Sequence, residues 1–293
     1  MQLCNDAMAT SPTSSSAETL SIKEFYDAFA EYYDQFYDPI DYQSWAETLQ
    51  HHLDELLPGP RRILDAGCGT GGLLQKLSAL PNNHCLGIDC SSAMLQACRE
   101  KISNSVPVDL VQGDLLASCF QSESFDAVLG AFSLLNAYSA AGRRALLAEV
   151  LRVLKPNGIF LSDFFTIHRY AQLRQAAEHG EQTGHDDAEF QLQQTLLPDT
   201  NWTLANAGEQ RDHHMLERKL SLRREGMPPS ESLTQRLYFL EPEEIGLDFL
   251  ATGFIIIIVT PLVRDSRSDA PNRLMLIGRK PCPSSISKSS TTA

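Results

Sequence analysis

Apolar positions along this chain follow two rhythms that alternate. From Ser21, Phe25, Phe29, Tyr32, Tyr33 and Phe36 recur at helical spacing behind a Ser21/Glu24 capping box. A second helix is predicted over about 42–57, with Trp45, Leu49, Leu53 and Leu56 on one face, between a break at Asp38 and Pro39 and a stop at Pro58-Gly59-Pro60. Short buried runs then alternate with helical patterns. Strands are expected at 63–65, 85–89, 108–112, 125–131 and 159–165, with a helix opening at Ser91 or Ser92, another around 140–154, and a turn at 155–158. That order implies a parallel sheet with right-handed crossovers.

The rhythm changes from about Ile167. An Arg/Gln/Ala/Glu helix (168–178) and a polar loop lead into strand-like alternation at 189–196, 201–206, 213–223 and 232–239, which fits antiparallel hairpins inserted after the fifth strand. The first rhythm returns with a short helix opening at Glu241-Pro242-Glu243-Glu244, a strand at 254–260 and a final strand at 273–279. Two strands joined only by a turn are antiparallel neighbours. The domain reading is a disordered leader (1–20), covering helices (21–60), an α/β domain (61–166 and 240–280), an inserted β subdomain (167–239) and a disordered tail (281–293).

The first strand carries the candidate chemistry. In RRILDAGCGTGGLL, Asp65 ends the strand, Gly67, Gly69, Gly71 and Gly72 form a turn, and a helix follows. Glycines let backbone N–H groups approach a ligand, beside the partly positive helix start. Gly67, Gly69 and Gly72 also satisfy the G-x-G-x-x-G spacing of dinucleotide binders. Asp89 and Asp114, at the ends of the next two strands, tip the balance. Three strand-end carboxylates suit a ligand with an ammonium group, a ribose diol and an adenine amine, whereas Asp65 would repel a pyrophosphate.

Composition narrows the classes further. A net charge of −13 disfavours nucleic acid as the principal partner, and the pairs Arg143/Arg144 and Arg223/Arg224 read as solvated surface. Seven cysteines without C-x-x-C spacing indicate neither a zinc ribbon nor a disulfide framework, and with no secretory signal they point to a reducing, cytoplasmic setting. No run reaches the roughly 20 apolar residues that span a bilayer. His213 and His214 would point to opposite faces of a strand, so no metal site is expected.

The order of glycine turn, three strand-end acids, LKPNG turn and closing hairpin resembles the class I S-adenosylmethionine-dependent methyltransferases. ILDAGCGTG is similar to the family's first motif, LGID to its second, VQGD to its third and LRVLKPNGIFLSDFF to its post-sheet signature. The resemblance implies a Rossmann-like seven-stranded sheet with the last strand antiparallel, and S-adenosylmethionine as cofactor. Asp65 would lie near the methionine ammonium, the N–H groups around Gly67, Gly69 and Gly71 near the methionine part, and Asp89 on the ribose. Asp114 would take the adenine amine, with the Leu115 N–H on a ring nitrogen and Met94 on the ring face. Ala66, Cys90, Gly113 and Ala131 complete the implied cofactor set.

YDAFAEYYDQFYDPIDYQSWA is similar to the leading helices of amino-sugar N,N-dimethyltransferases and glycine/sarcosine-type N-methyltransferases, in which the equivalent of Tyr33 lies over the cofactor pocket. FSLLNAY departs from the [DN]-P-P-[YFW] motif of base methylation. The expectation is therefore methyl transfer to the amine of a small-molecule substrate. A hydroxyl or carboxylate acceptor, a non-catalytic binding subunit and a nicotinamide oxidoreductase are the alternatives. Tyr33, Tyr37 and His168 are candidate catalytic groups, and Tyr37, Asn136, Tyr138, His168, Arg236 and Tyr238 candidate substrate contacts. The inserted strands are expected to form a lid or a homodimer contact, with no nucleic-acid or membrane partner.

Overall fold

The computed structural model describes residues 21–36, 40–102, 108–171, 200–203, 214–222, 232–263 and 271–282. The Ser21 N–H and hydroxyl donate to Glu24 Oε2 at 2.8 Å, and the Glu24 N–H returns to Ser21 Oγ at 3.3 Å. Helix α1 (Ile22–Phe36) follows, burying Phe25 and Phe29 against Met94. Asp41 caps α2 (Tyr42–Leu56) by accepting the Gln43 and Ser44 N–H groups at 3.1 and 3.0 Å. Ala46, Leu49 and Leu53 form the buried stripe of α2.

Strands β1 (Arg61–Ala66), β2 (Asn83–Asp89), β3 (Asp109–Gln112), β4 (Phe125–Gly130) and β5 (Leu154–Phe165) are parallel and lie in the order β3-β2-β1-β4-β5. Beyond β5 come β10 (Arg273–Arg279) and then β9 (Ile255–Val263), and β10 runs antiparallel to both neighbours. The seven-stranded sheet with one reversed strand is as expected. Between its strands run α3 (Gly72–Ser78), α4 (Ser92–Ile102), α5 (Ala140–Val153) and, before β9, α6 (Pro242–Thr252).

Strand alternation divides the core between the two faces. Leu64, Val128 and Phe160 pack with Leu146 of α5 and Phe249 of α6. Ile63, Ala127 and Leu161 pack with Leu49 of α2, Leu74 of α3 and Leu95 of α4. At about 1.5–3 kcal/mol for each large side chain removed from water, these two layers are the main support of the sheet.

Two local expectations change. The LKPNG turn lies inside β5, because Leu154 already pairs with Phe125 before the register shifts at Ile159. Asn157 there is left-handed (φ 66°), and its N–H donates to the Lys280 carbonyl at 3.0 Å. Arg143 is not solvated surface. It is buried, donates to Asp248 at 2.8 Å and also pairs with Glu244, joining α5 to α6. Glu244 is thereby an ion-pair partner, and Glu241, at the start of α6, makes no side-chain cap.

The inserted region forms an antiparallel sheet, β6 (Thr200–Thr203), β7 (His214–Leu222) and β8 (Ser232–Phe239), in the order β6-β7-β8. The expected strand at 189–196, His213, Arg223 and Arg224 lie outside the described residues. Leu240 fastens β8 to the large sheet, its N–H donating to the Phe165 carbonyl at 3.2 Å and its carbonyl accepting the Ile167 N–H at 3.1 Å. No helix among the described residues is long and apolar enough to cross a membrane.

Candidate active site

A cavity of about 410 Å³ opens at the carboxyl ends of the parallel strands. Its floor follows the strand order: Asp114 after β3, Asp89 ending β2, Asp65 near the end of β1, Ala131 after β4 and Phe165 ending β5. Three carboxylates therefore occupy one half. The other half is apolar, with Tyr42, Phe132, Phe165 and Leu237 among its lining. Ile22, Tyr26 and Tyr33, on one face of α1, also line the cavity.

The acidic half is held by backbone amides. Asp89 accepts the Gly69 N–H and the Ser91 N–H, both at 2.9 Å, while Asp114 accepts the Leu116 N–H at 2.8 Å and so caps a short 3-10 turn. Asp65 is buried, and no hydrogen bond among the described residues holds its side chain. Loss of water, with the Asp89 charge adding to it, pushes its carboxyl from 3.8 up to about 7. A ligand ammonium would supply the positive partner that Asp65 lacks among the described residues.

Backbone geometry completes that half. Gly69 is left-handed (φ 53°), and a side chain there would project into open space within the cavity lining. The turn thus keeps clear a volume that a ligand can fill. Gly71 has another role: it starts α3 in a left-handed conformation (φ 79°), and a Cβ on it would strike the Cys98 thiol. Six cysteines, Cys68, Cys85, Cys90, Cys98, Cys119 and Cys282, are free thiols.

Helix α1 is tied across the acidic half at two points. Asp27 accepts the Ser91 hydroxyl at 2.7 Å and pairs with Lys23. Asp34 accepts the Thr70 hydroxyl at 2.6 Å and the Lys101 ammonium at 2.8 Å. Thr70 belongs to the glycine turn, so α1 is joined directly to that turn.

The apolar half is held differently. After β4 the chain makes two successive left-handed residues, Phe132 (φ 56°) and Ser133 (φ 64°), each of which costs about 1–3 kcal/mol. Buried Asp163 stabilises this turn, accepting the Ser133 N–H at 3.0 Å and its hydroxyl at 3.2 Å. Arg273 Nε donates to the same carboxylate oxygen at 2.7 Å. The guanidinium carbon of Arg273 lies 4.9 Å from the Trp45 ring centroid, 4.9 Å from that of Phe165 and 5.9 Å from that of Phe132.

The expected site residues divide accordingly. Tyr33, Asp65, Gly67, Gly69, Asp89, Cys90, Met94, Asp114, Leu115, Ala131 and Tyr138 line the cavity. Burial pushes the Tyr138 phenol well above its ordinary range, which disfavours forming the phenolate that could act as a base. Ala66, Gly71 and Gly113 support the floor without lining it. Asn136 is buried and spends its amide on the chain, donating to the Phe165 and Tyr238 carbonyls at 3.0 and 2.6 Å and accepting the Phe165 N–H at 2.9 Å. It is a brace between β5 and β8, away from the lining.

His168 is exposed and does not line the cavity, because Arg169 and Tyr170 take the inward positions of that helical turn. On β8, Leu237 reaches the cavity, so strand alternation turns its neighbours Arg236 and Tyr238 to the opposite face. Tyr37 lies outside the described residues. Tyr26, Tyr42, Phe132, Phe165 and Leu237 are cavity residues that the linear pattern did not single out as a site. Phe132 opens the departing segment FSLLNAY directly after β4, and Tyr26 and Tyr42 lie in the leading helices expected to cover the pocket.

Comparison with known proteins agrees with this arrangement. Residues 63–158 match the methyltransferase domain family. A putative methyltransferase of Bacillus subtilis is 33% identical over 150 residues, 50% of this chain, and the match spans 58% of that protein's length. Among solved structures, an S-adenosylmethionine-dependent methyltransferase from Clostridium acetobutylicum superposes with a TM-score of 0.63 at 18% identity, covering 88% of this chain and 99% of that one. An amino pentose methyltransferase from Micromonospora echinaspora, solved with S-adenosylmethionine bound, gives 0.55 at 18% identity over 86% of this chain and 96% of its own. The fold is the Rossmann-like methyltransferase fold, and 63–158 are the residues that match the methyltransferase domain family.

Proposed function

We propose that this chain is an S-adenosylmethionine-dependent methyltransferase acting on a small molecule, with an amine as the favoured acceptor. The observation that carries the reading is Asp65, a buried carboxylate with no cation beside it among the described residues, lining the same cavity as Gly69. The donor set fits the cofactor: Asp65 for the ammonium, Asp89 for the ribose hydroxyls, Asp114 and the Leu115 N–H for adenine. Asp89 and Asp114 have lone pairs left after their backbone contacts. Bound, the cofactor supplies a methyl already activated by its sulfonium.

The chain's own part is to orient and to exclude water. Tyr26 and Tyr33 cover the cavity from α1. An amine that arrives with a free lone pair needs no base, whereas a hydroxyl does. Among the described residues the lining holds no histidine, and its floor carboxylates lie on the cofactor half. This distribution supports the amine. The amino pentose methyltransferase that shares the fold supports it as well.

The test is incubation with methyl-labelled S-adenosylmethionine and a panel of amines, amino sugars, phenols and carboxylates. Label is expected in the amines. Label confined to hydroxyls or carboxylates would overturn the amine preference, and cofactor binding without label in any of them would mark a binding subunit.

A further inference from the structure

Phe132 departs from the local rule that non-glycine residues avoid left-handed backbone, and so does Ser133 beside it. Such a conformation persists only where its surroundings over-determine it, and here they do so from behind the cavity wall. Asp163 binds the Ser133 N–H and hydroxyl, and Arg273 donates to Asp163 at 2.7 Å. The Phe132 ring is set edge-on to Tyr42 at 5.4 Å and tilted against Trp45 at 4.9 Å. Asp163 and Arg273 do not line the cavity, so any effect they have on a ligand passes through the lining they hold, which is this turn and, for Arg273, also the Phe165 ring.

We propose that Asp163 and Arg273 are positioning residues that fix Phe132 as the wall facing the acceptor, and that this wall admits an apolar, ring-sized body and rejects an anion. The inference rests on the reading above, which assigns the acidic half to the cofactor and leaves the half under β4 and β5 to the acceptor. Phe132, Phe165, Tyr42 and Leu237 offer that acceptor ring faces and aliphatic surface. Charge points the same way. Among the described lining residues are three carboxylates and one cation, Lys23, which is paired with Asp27. A negatively charged acceptor would find no uncommitted positive group on that wall.

The probes are indole and indole-3-carboxylate, which share a ring system and differ by one negative charge. Each is titrated into protein saturated with S-adenosylhomocysteine and followed by saturation-transfer NMR. Indole is expected to bind about tenfold more tightly than its carboxylate, and Phe132→Ala to weaken indole by about tenfold. Asp163→Asn is expected to weaken indole by about threefold or more while S-adenosylhomocysteine affinity moves by less than about twofold. A purely structural loss would move both ligands together. Arg273→Lys, which keeps the charge, should recover part of the indole affinity that Arg273→Ala loses. If Asp163→Asn does not fold, the Arg273→Ala and Arg273→Lys pair decides the positioning role, and indole affinity unchanged in Arg273→Ala would overturn it.

Equal binding of the two probes, no binding of indole, or indole binding indifferent to Phe132→Ala would overturn the inference. Failure of the wild type to bind S-adenosylhomocysteine would instead overturn the functional reading beneath it.

Discussion

The two halves of the cavity share one sheet edge and are built by opposite means. Under β3, β2 and β1, charge is exposed to the ligand and the support is ordinary backbone: amide groups of Gly69, Ser91 and Leu116 hold Asp89 and Asp114. Under β4 and β5, apolar rings face the ligand and the charge is hidden behind them, in the Asp163–Arg273 pair. Strand ends alone suffice to present carboxylates. Presenting a ring at a fixed angle takes a strained turn and a buried ion pair to hold it.

That contrast can be broken most severely at Asp163. Asp163→Ala leaves Arg273 with its buried partner removed and is expected to cost about 3–5 kcal/mol in denaturant unfolding. Unchanged stability would mean that the aromatic half does not stand on the ion pair.

Next in size is Asp65. Its carboxyl rises from 3.8 to about 7 on folding, so the native state keeps a proton that the unfolded chain releases. Stability from this group is fully present below pH 4, falls as pH rises, and levels off above pH 7. At about 1.4 kcal/mol for each tenfold, the whole change is roughly 4 kcal/mol. Asp65→Asn should lack this slope in thermal melts between pH 4 and 8. A ligand ammonium favours the ionised form, so S-adenosylhomocysteine should bind more tightly as pH rises towards 7, releasing a proton that calorimetry in buffers of different ionisation enthalpy detects.

Asp89→Ala should weaken S-adenosylhomocysteine by one to two orders of magnitude, about 1.5–3 kcal/mol, through loss of a charge-assisted contact and of the anchor for Gly69. Indole binding in the other half should be unaffected. Thr70→Val comes last. It removes the hydroxyl that Asp34 accepts and should cost about 0.5–1.5 kcal/mol in stability, while stopped-flow release of S-adenosylhomocysteine becomes faster.

The acidic half was legible because strand ends can be read from short apolar runs, and a carboxylate after each run has one place to go. The seven-stranded sheet was legible for the same reason. The aromatic half was not. Phe132 and Ser133 carry no glycine to announce a left-handed turn, and Tyr42 reads only as the first residue of α2. Leu237 reaches the cavity because Leu240, far from β5 in sequence, hydrogen-bonds to its end. Arg236 and Tyr238 lie on either side of it and, one residue away along a strand, take the opposite face. Arg143 reads as surface because its partners, Glu244 and Asp248, are about a hundred residues away.

Helix α1 has a consequence for timing. It lines the cavity with two carboxylates pinned, Asp27 near its middle to Ser91 and Asp34 near its end to Thr70 and Lys101. If a molecule seated below departs past α1, those pins must let go first, which would separate how long it stays from how fast it reacts. One of the pins is an ion pair partly open to water, and dissolved electrolyte screens such contacts. Dwell time should therefore shorten as ionic strength rises, even where the reaction itself proceeds unchanged.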